Sequence, residues 1–187
     1  ALRYNTTASN NTAVGYQAGY AVTTGTHNTF VGSGSGDATT TGNRNTALGY
    51  LSLSANAGSN NTAIGTQALI LNTGSSNTAV GKDAAFYNTS GSALTAVGES
   101  ALISNTTGAN NTAVGYKAAY TNSTGEGNTV VGTEALEFGT SGYNTALGYK
   151  ALEVSTTGQN TAVGSYALYV NTTGTSNVAI GGFSDSI

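Results

Sequence analysis

The sequence predicts an all-β fold, a parallel β-solenoid of about eleven coils of 16–17 residues. Three observations lead there. A five-residue motif, Asn-Thr-Ala-Val-Gly or a near copy, begins at Asn11, Asn28, Asn45, Asn61, Asn77, Leu94, Asn111, Asn128, Asn144, Asn160 and Asn177. It closes at Gly15, Gly32, Gly49, Gly65, Gly81, Gly98, Gly115, Gly132, Gly148, Gly164 and Gly181, always 16 or 17 residues apart. A short period repeated across a whole chain signals a repeat architecture, here a single repeat domain over residues 1–187. The period also carries turn chemistry at a fixed place. Finally, its one-residue length changes fall before Gly58 and Gly74 or after Gly142 and Gly158, in turns, where a solenoid tolerates them.

One coil shows the reasoning. Asn111-Thr-Ala-Val-Gly115 alternates and carries β-branched residues, so it reads as a short strand. Tyr116-Lys-Ala-Ala-Tyr-Thr121 reads as a second strand. Asn122-Ser-Thr-Gly125 is turn chemistry, since Asn bonds its own backbone and Gly takes positive φ. A helix in each repeat is excluded, because the Gly and Asn-Thr clusters would interrupt it. Eleven coils stacked about 4.8 Å apart give a rod about 50 Å long.

The columns supply the core. Before each closing glycine stands Val, Leu or Ile in all eleven repeats, read as an inward apolar ladder. Three residues after it the column is nearly all Ala, and four after it stand Leu53, Leu69, Leu102, Leu136, Leu152 and Leu168. If Val14 and Thr12 point inwards, strand alternation turns Ala13 outwards. That outward column reads Ala13, Phe30, Ala47, Ala63, Ala79, Ala96, Ala113, Val130, Ala146, Ala162 and Ala179. A water-facing column drifts to Ser, Lys or Glu, so a stripe of Ala predicts a packing face against another copy of the chain. The opposite parity, with Ala inside and Thr and Val outside, is the alternative.

Composition narrows function by exclusion. Charged residues make up 7% of the chain, five of them basic, with net charge −3. That gives no phosphate-binding patch, so nucleic acid is excluded as a partner. No run of 18 apolar residues exists to insert as a membrane-spanning helix. Cys, Pro, Met and Trp are absent, so disulfide staples are excluded. The chain begins at Ala1 rather than Met, as expected of a processed product or a segment of something longer.

Asn-Val-Ala-Ile-Gly at 177–181 resembles the core motif of trimeric autotransporter adhesin heads, the YadA-like or Hep_Hag repeat. Asn-Thr-Ala-Val-Gly-Tyr-Gln-Ala at 11–18 and Asn-Thr-Thr-Gly at 105–108 and 171–174 resemble repeats of tail-fibre-like proteins. The resemblance covers essentially the whole chain. It implies a left-handed β-roll with three chains around one axis, acting as a surface adhesin, fibre or phage attachment shaft. It also implies a location that is extracellular, on a cell surface or on a virion. The coils are longer than the common adhesin-head coil, and Thr usually replaces the motif's first Val.

Catalytic candidates are few. His27 is the only histidine and sits in a turn. The acids are Asp37, Asp83, Glu99, Glu126, Glu134, Glu137, Glu153 and Asp185. Glu137 and Glu153 share a column in adjacent coils, but a solenoid ladder offers no cleft for a paired-carboxylate glycosidase. Lys117, Glu134 and Lys150 share another column, and Lys82 and Glu99 stack likewise, which reads as solvated salt ladders. Ser33-Gly-Ser-Gly-Asp37 lacks the Lys-Ser/Thr of a phosphate loop and the repeated acids of a calcium roll, and reads as a locally irregular coil. No catalytic residue, cofactor or metal is expected. Tyr16, Tyr50, Tyr116 and Tyr149 follow closing glycines and are candidate outer aromatic contacts for sugars or proteins, or for packing between chains.

Three functional classes follow. The first is a non-enzymatic structural and adhesive rod, a homotrimer that meets a cell-surface receptor or glycan. The second, on the reversed parity, is an ice-binding solenoid with an outward Thr column from Thr12 to Thr161. The third is a filament subunit stacking end to end, since no polar cap is evident before Ile187.

Overall fold

The computed structural model describes residues 1–182; Asp185 and the terminus at Ile187 lie outside them. Eleven parallel strands form one sheet in chain order. They are β1 (Thr12–Val14), β2 (Thr29–Val31), β3 (Thr46–Leu48), β4 (Thr62–Ile64), β5 (Thr78–Val80), β6 (Thr95–Val97), β7 (Thr112–Val114), β8 (Thr129–Val131), β9 (Thr145–Leu147), β11 (Thr161–Val163) and β13 (Val178–Ile180). Register is strict, column on column from coil to coil, as at Thr95↔Thr112, Ala96↔Ala113 and Val97↔Val114. A second sheet pairs β10 (Val154–Ser155) with β12 (Val170–Asn171). No helix occurs among the described residues. The chain is therefore a β-solenoid with one coil per repeat.

The strand parity is the reversed one. Ala47, Ala63, Ala79, Ala96, Ala113, Ala146 and Ala162 have no exposed surface, Ala179 retains 8%, and Ala13 is half-buried at the first coil. They line the inside of the coil and cannot form a packing face. The Thr and aliphatic columns point out instead. The physical reason lies across the coil, where Ala18, Ala68, Ala84, Ala101, Ala118, Ala135, Ala151 and Ala167, and the Leu column after them, are also buried. With Leu filling one wall, the facing strand comes too close for anything much larger than Ala.

The segment after each glycine is not a strand. Its second and fourth residues are left-handed, as at Lys117 (φ 52) and Ala119 (φ 54), while the third closes a turn through Ala118 N–H to Gly115 O at 3.3 Å. Its amides still reach both neighbours: Lys117 N–H donates to Glu99 O at 3.0 Å and Ala119 N–H to Ala135 O at 3.0 Å. Tyr, Lys and Ala gave no local signal against a strand. The coil has to reverse direction around a thin core, and alternating left- and right-handed residues do so in fewer ångströms than an extended segment.

Two further devices hold the coils together. Closing glycines sit at φ values that other residues rarely adopt; at Gly81 (φ 136) a Cβ would also lie 2.5 Å from Gly98 O. The motif asparagines form a buried ladder. Asn61 Oδ1 accepts Asn77 N–H at 3.0 Å, and Asn61 Nδ2 donates to Gly74 O at 3.0 Å. The same pair of bonds recurs at Asn28 and Asn45. Each side-chain amide thus satisfies the N–H that leads into the next strand and bonds a turn carbonyl, which at Gly74 also accepts from Asn72 Nδ2.

The irregular coil at 33–37 has a packing cause. Phe30 replaces Ala inside the coil and is fully buried. Gly36 stands in the Leu column, and a Cβ there would run into the Phe30 ring; at Gly19 a Cβ would lie 2.9 Å from Phe30 Cδ2. The glycines supply the room that the ring occupies.

Candidate functional site

The outward sheet face is a regular surface that runs through all eleven strands of the sheet. It carries the Thr column from Thr12 to Thr161, ending in Val178, and the aliphatic column from Val14 to Ile180. Neither column contains a charged residue in any of the eleven strands. Four of the eleven aliphatic residues are exposed, Val14 (59%), Leu48 (47%), Leu147 (46%) and Ile180 (79%), and the other seven are half-buried by their neighbours. The columns are about 7 Å apart and run for about 50 Å, which places the stripe at the size where an exposed apolar patch marks an interaction surface.

Beyond the closing glycine, Tyr16, Tyr50, Tyr116 and Tyr149 are exposed, as the sequence suggests. They are not equivalent. Tyr149 meets Tyr166 edge-on at 5.2 Å, Tyr166 meets Tyr169 at 5.4 Å, and Lys117 lies 5.4 Å from the Tyr116 ring. The hydrogen bond with Tyr166 raises the Tyr149 hydroxyl above its ordinary pKa, and the bond to Glu153 does the same for Tyr169.

The charges gather between these aromatics. Lys150 Nζ lies 2.7 Å from Glu153 and 3.1 Å from Glu134, and those carboxylates hold its ammonium well above the usual lysine range. Lys117 pairs with Glu137 at 3.4 Å rather than with Glu134 in its own column. Glu137 and Glu153 are buried, so this is a covered network and not the solvated ladder expected. Their burial follows from the long lysine and tyrosine side chains lying over them. Lys82 does stack on Glu99, at 3.8 Å, and bonds Asp83 at 2.6 Å, in the open.

Carboxylate oxygens of Glu134, Glu137 and Glu153 lie within 4.8 Å of one another, the spacing of a metal site. Lys150 already supplies the cation there, so the cluster is a salt-bridge network. His27 is exposed, beside Thr26 Oγ1 at 3.1 Å and Asn10 Nδ2 at 3.2 Å, with no carboxylate among those contacts. The sequence reading did not identify the asparagine ladder, although Asn at ten of eleven motif starts was its signal.

No family model matches the chain, and neither a curated protein nor a solved structure is significantly similar to it.

Proposed function

We propose that the chain is a non-enzymatic structural and adhesive rod, a segment of a surface adhesin, extracellular filament or phage-type attachment fibre, working as a homotrimer. The observation that carries this is the outward face. All eleven strands turn an aliphatic side chain outwards at one position and an uncharged one beside it; four of the aliphatics are exposed and seven half-buried. Stacking along the sheet covers part of each side chain, and further copies packed on the face would bury the rest. The buried asparagine ladder and the backbone bonds between coils make each chain stiff, and the tyrosines remain at the rim to meet a receptor or glycan. Placement outside the cell, on a cell surface or virion, rests on the motif's resemblance to adhesin and fibre repeats. Light scattering after size exclusion tests the assembly: three times the 18.5 kDa chain is expected, and a clean monomer contradicts it.

The outward threonines favour a second reading, an ice-binding face. Ten Thr in register on one flat sheet, with no charge among them, present regularly spaced hydroxyl and methyl groups. A monomer that shapes or arrests growing ice crystals would support this reading over the first.

A further inference from the structure

The coil edge carrying the turn glycines has a shallow notch. Ser141 takes the place that Gly125 holds one coil earlier: Asn128 Nδ2 donates to Ser141 O as Asn111 Nδ2 does to Gly125 O. Gly142 therefore stacks on Glu126, and Gly158 on Gly142, so two successive coils lack a side chain where Glu126 carries one. The result is an open depression of about 390 Å³ lined by Gly142, Tyr143, Gly158, Gln159 and Thr175.

Tyr143 is held ready beside it. Its ring is 58% exposed, yet it is fixed at both ends. The hydroxyl donates to the Glu126 carboxylate, and the Cδ1–Cε1 edge lies over Gly127, where a Cβ would come within 2.9 Å. Its backbone is left-handed (φ 61), a conformation that a bulky residue adopts at a cost. An exposed aromatic already immobilised loses little entropy when a ligand settles on it.

We infer that this notch binds a neutral pyranose ring, stacked on Tyr143 and hydrogen-bonded by Gln159 and Thr175. The lining is uncharged and combines one flat apolar ring with an amide and a hydroxyl that both donate and accept. A sugar ring matches this, with C–H bonds on one face and hydroxyls at its rim. An added peptide strand does not match, because the backbone amides here are already used. Tyr143 N–H donates to Glu126 O at 2.8 Å, and Gln159 N–H to Gly142 O at 3.3 Å. The inference deepens the attachment reading and rests on it for its biological meaning; in a trimer the site would occur three times, and avidity would strengthen weak single-site binding.

The test is saturation-transfer NMR on the full chain with glucose, galactose, mannose and N-acetylglucosamine. Transfer to at least one sugar is expected, lost in Tyr143→Ala and weakened in Tyr143→Phe, which removes the tether to Glu126. Gln159→Ala, which removes the amide, also weakens transfer, with circular dichroism to confirm the fold. Absence of transfer from all four sugars overturns the site, as does transfer unchanged in Tyr143→Ala. Neither result depends on oligomeric state, so this site and the trimeric rod fail separately.

Discussion

In β7, Ala113 is fully buried while Thr112 and Val114 on either side are half-exposed, and the two kinds of position respond differently to a change of size. Where the inner column exchanges Ala for Phe30, Gly19 and Gly36 give way around the ring. Where the outer column exchanges Val for Leu48, Ile64 or Leu147, the flanking Thr and inner Ala of the same strand stay as they are. The interior has a fixed volume for each coil, set by the stacking of the neighbouring coils. The exterior has no such limit within one chain, yet it stays aliphatic through eleven repeats. Stacking on the neighbouring coils covers part of that column, and the proposed assembly would cover the rest.

The inner rule is broken most severely at Phe30. Phe30→Ala should cost about 3–5 kcal/mol, the range for emptying a buried aromatic site. Adding Gly36→Leu should recover part of that loss, because Leu53 holds the next position of that column at φ 52. Urea unfolding of both variants checks it, and a double variant no better than the single one would contradict the shared-volume account.

The asparagine ladder gives the next effect. Asn61→Ala orphans the Asn77 amide, at about 1–3 kcal/mol for a buried group left unpaired, while the Gly74 carbonyl keeps its bond from Asn72 Nδ2 at 3.0 Å. The ladder also has a natural gap. Leu94 is buried in the Asn column; its own amide is accepted by Asn77 Oδ1 at 3.0 Å, but it offers no side-chain acceptor to Asn111. Leu94→Asn should therefore stabilise by about 1 kcal/mol, and a clear loss in thermal melting would show that the leucine's packing outweighs the missing bond.

The smallest effect is alkaline. Lys150 is raised by its bonds to Glu153 and Glu134, and Tyr143 by its bond to Glu126. A folded-state pKa above the unfolded one contributes stability that is complete below the unfolded value and is lost as pH rises through the folded one. Both contributions should hold through neutral pH and fade only above the ordinary values of 10.5 and 10.0. Thermal melting in Glu153→Gln should lose part of this alkaline slope.

Much of the fold was legible because a solenoid repeats its evidence. Eleven aligned copies fixed the coil length, the strand at Thr-Ala-Val, the turn glycines and the buried Leu column. Parity was not legible, since Ala and Val are both apolar and a three-residue strand alternates equally well either way. What decides it is the room left by the Leu wall across the coil, a property of the closed coil and not of the strand. The turn after each glycine was misread for a similar reason, because alternating left-handed residues such as Gln67 and Leu69 carry no Gly or Asn to announce them. The notch at Tyr143 was not legible, because Gly142 and Gly158 read as turn glycines; only the stacked coils place them where Glu126 carries a side chain, with the ring and amide beside them.

The central claim is that further copies of the chain cover the outward Thr and aliphatic face. The most direct measurement is native mass by light scattering, for the natural chain and for Val80→Lys/Val114→Lys. The account predicts three times 18.5 kDa for the natural chain. The variant should be a folded monomer, because both lysines reach solvent without disturbing the Ala interior. A natural chain that is monomeric, or a variant that keeps the natural mass, would contradict it.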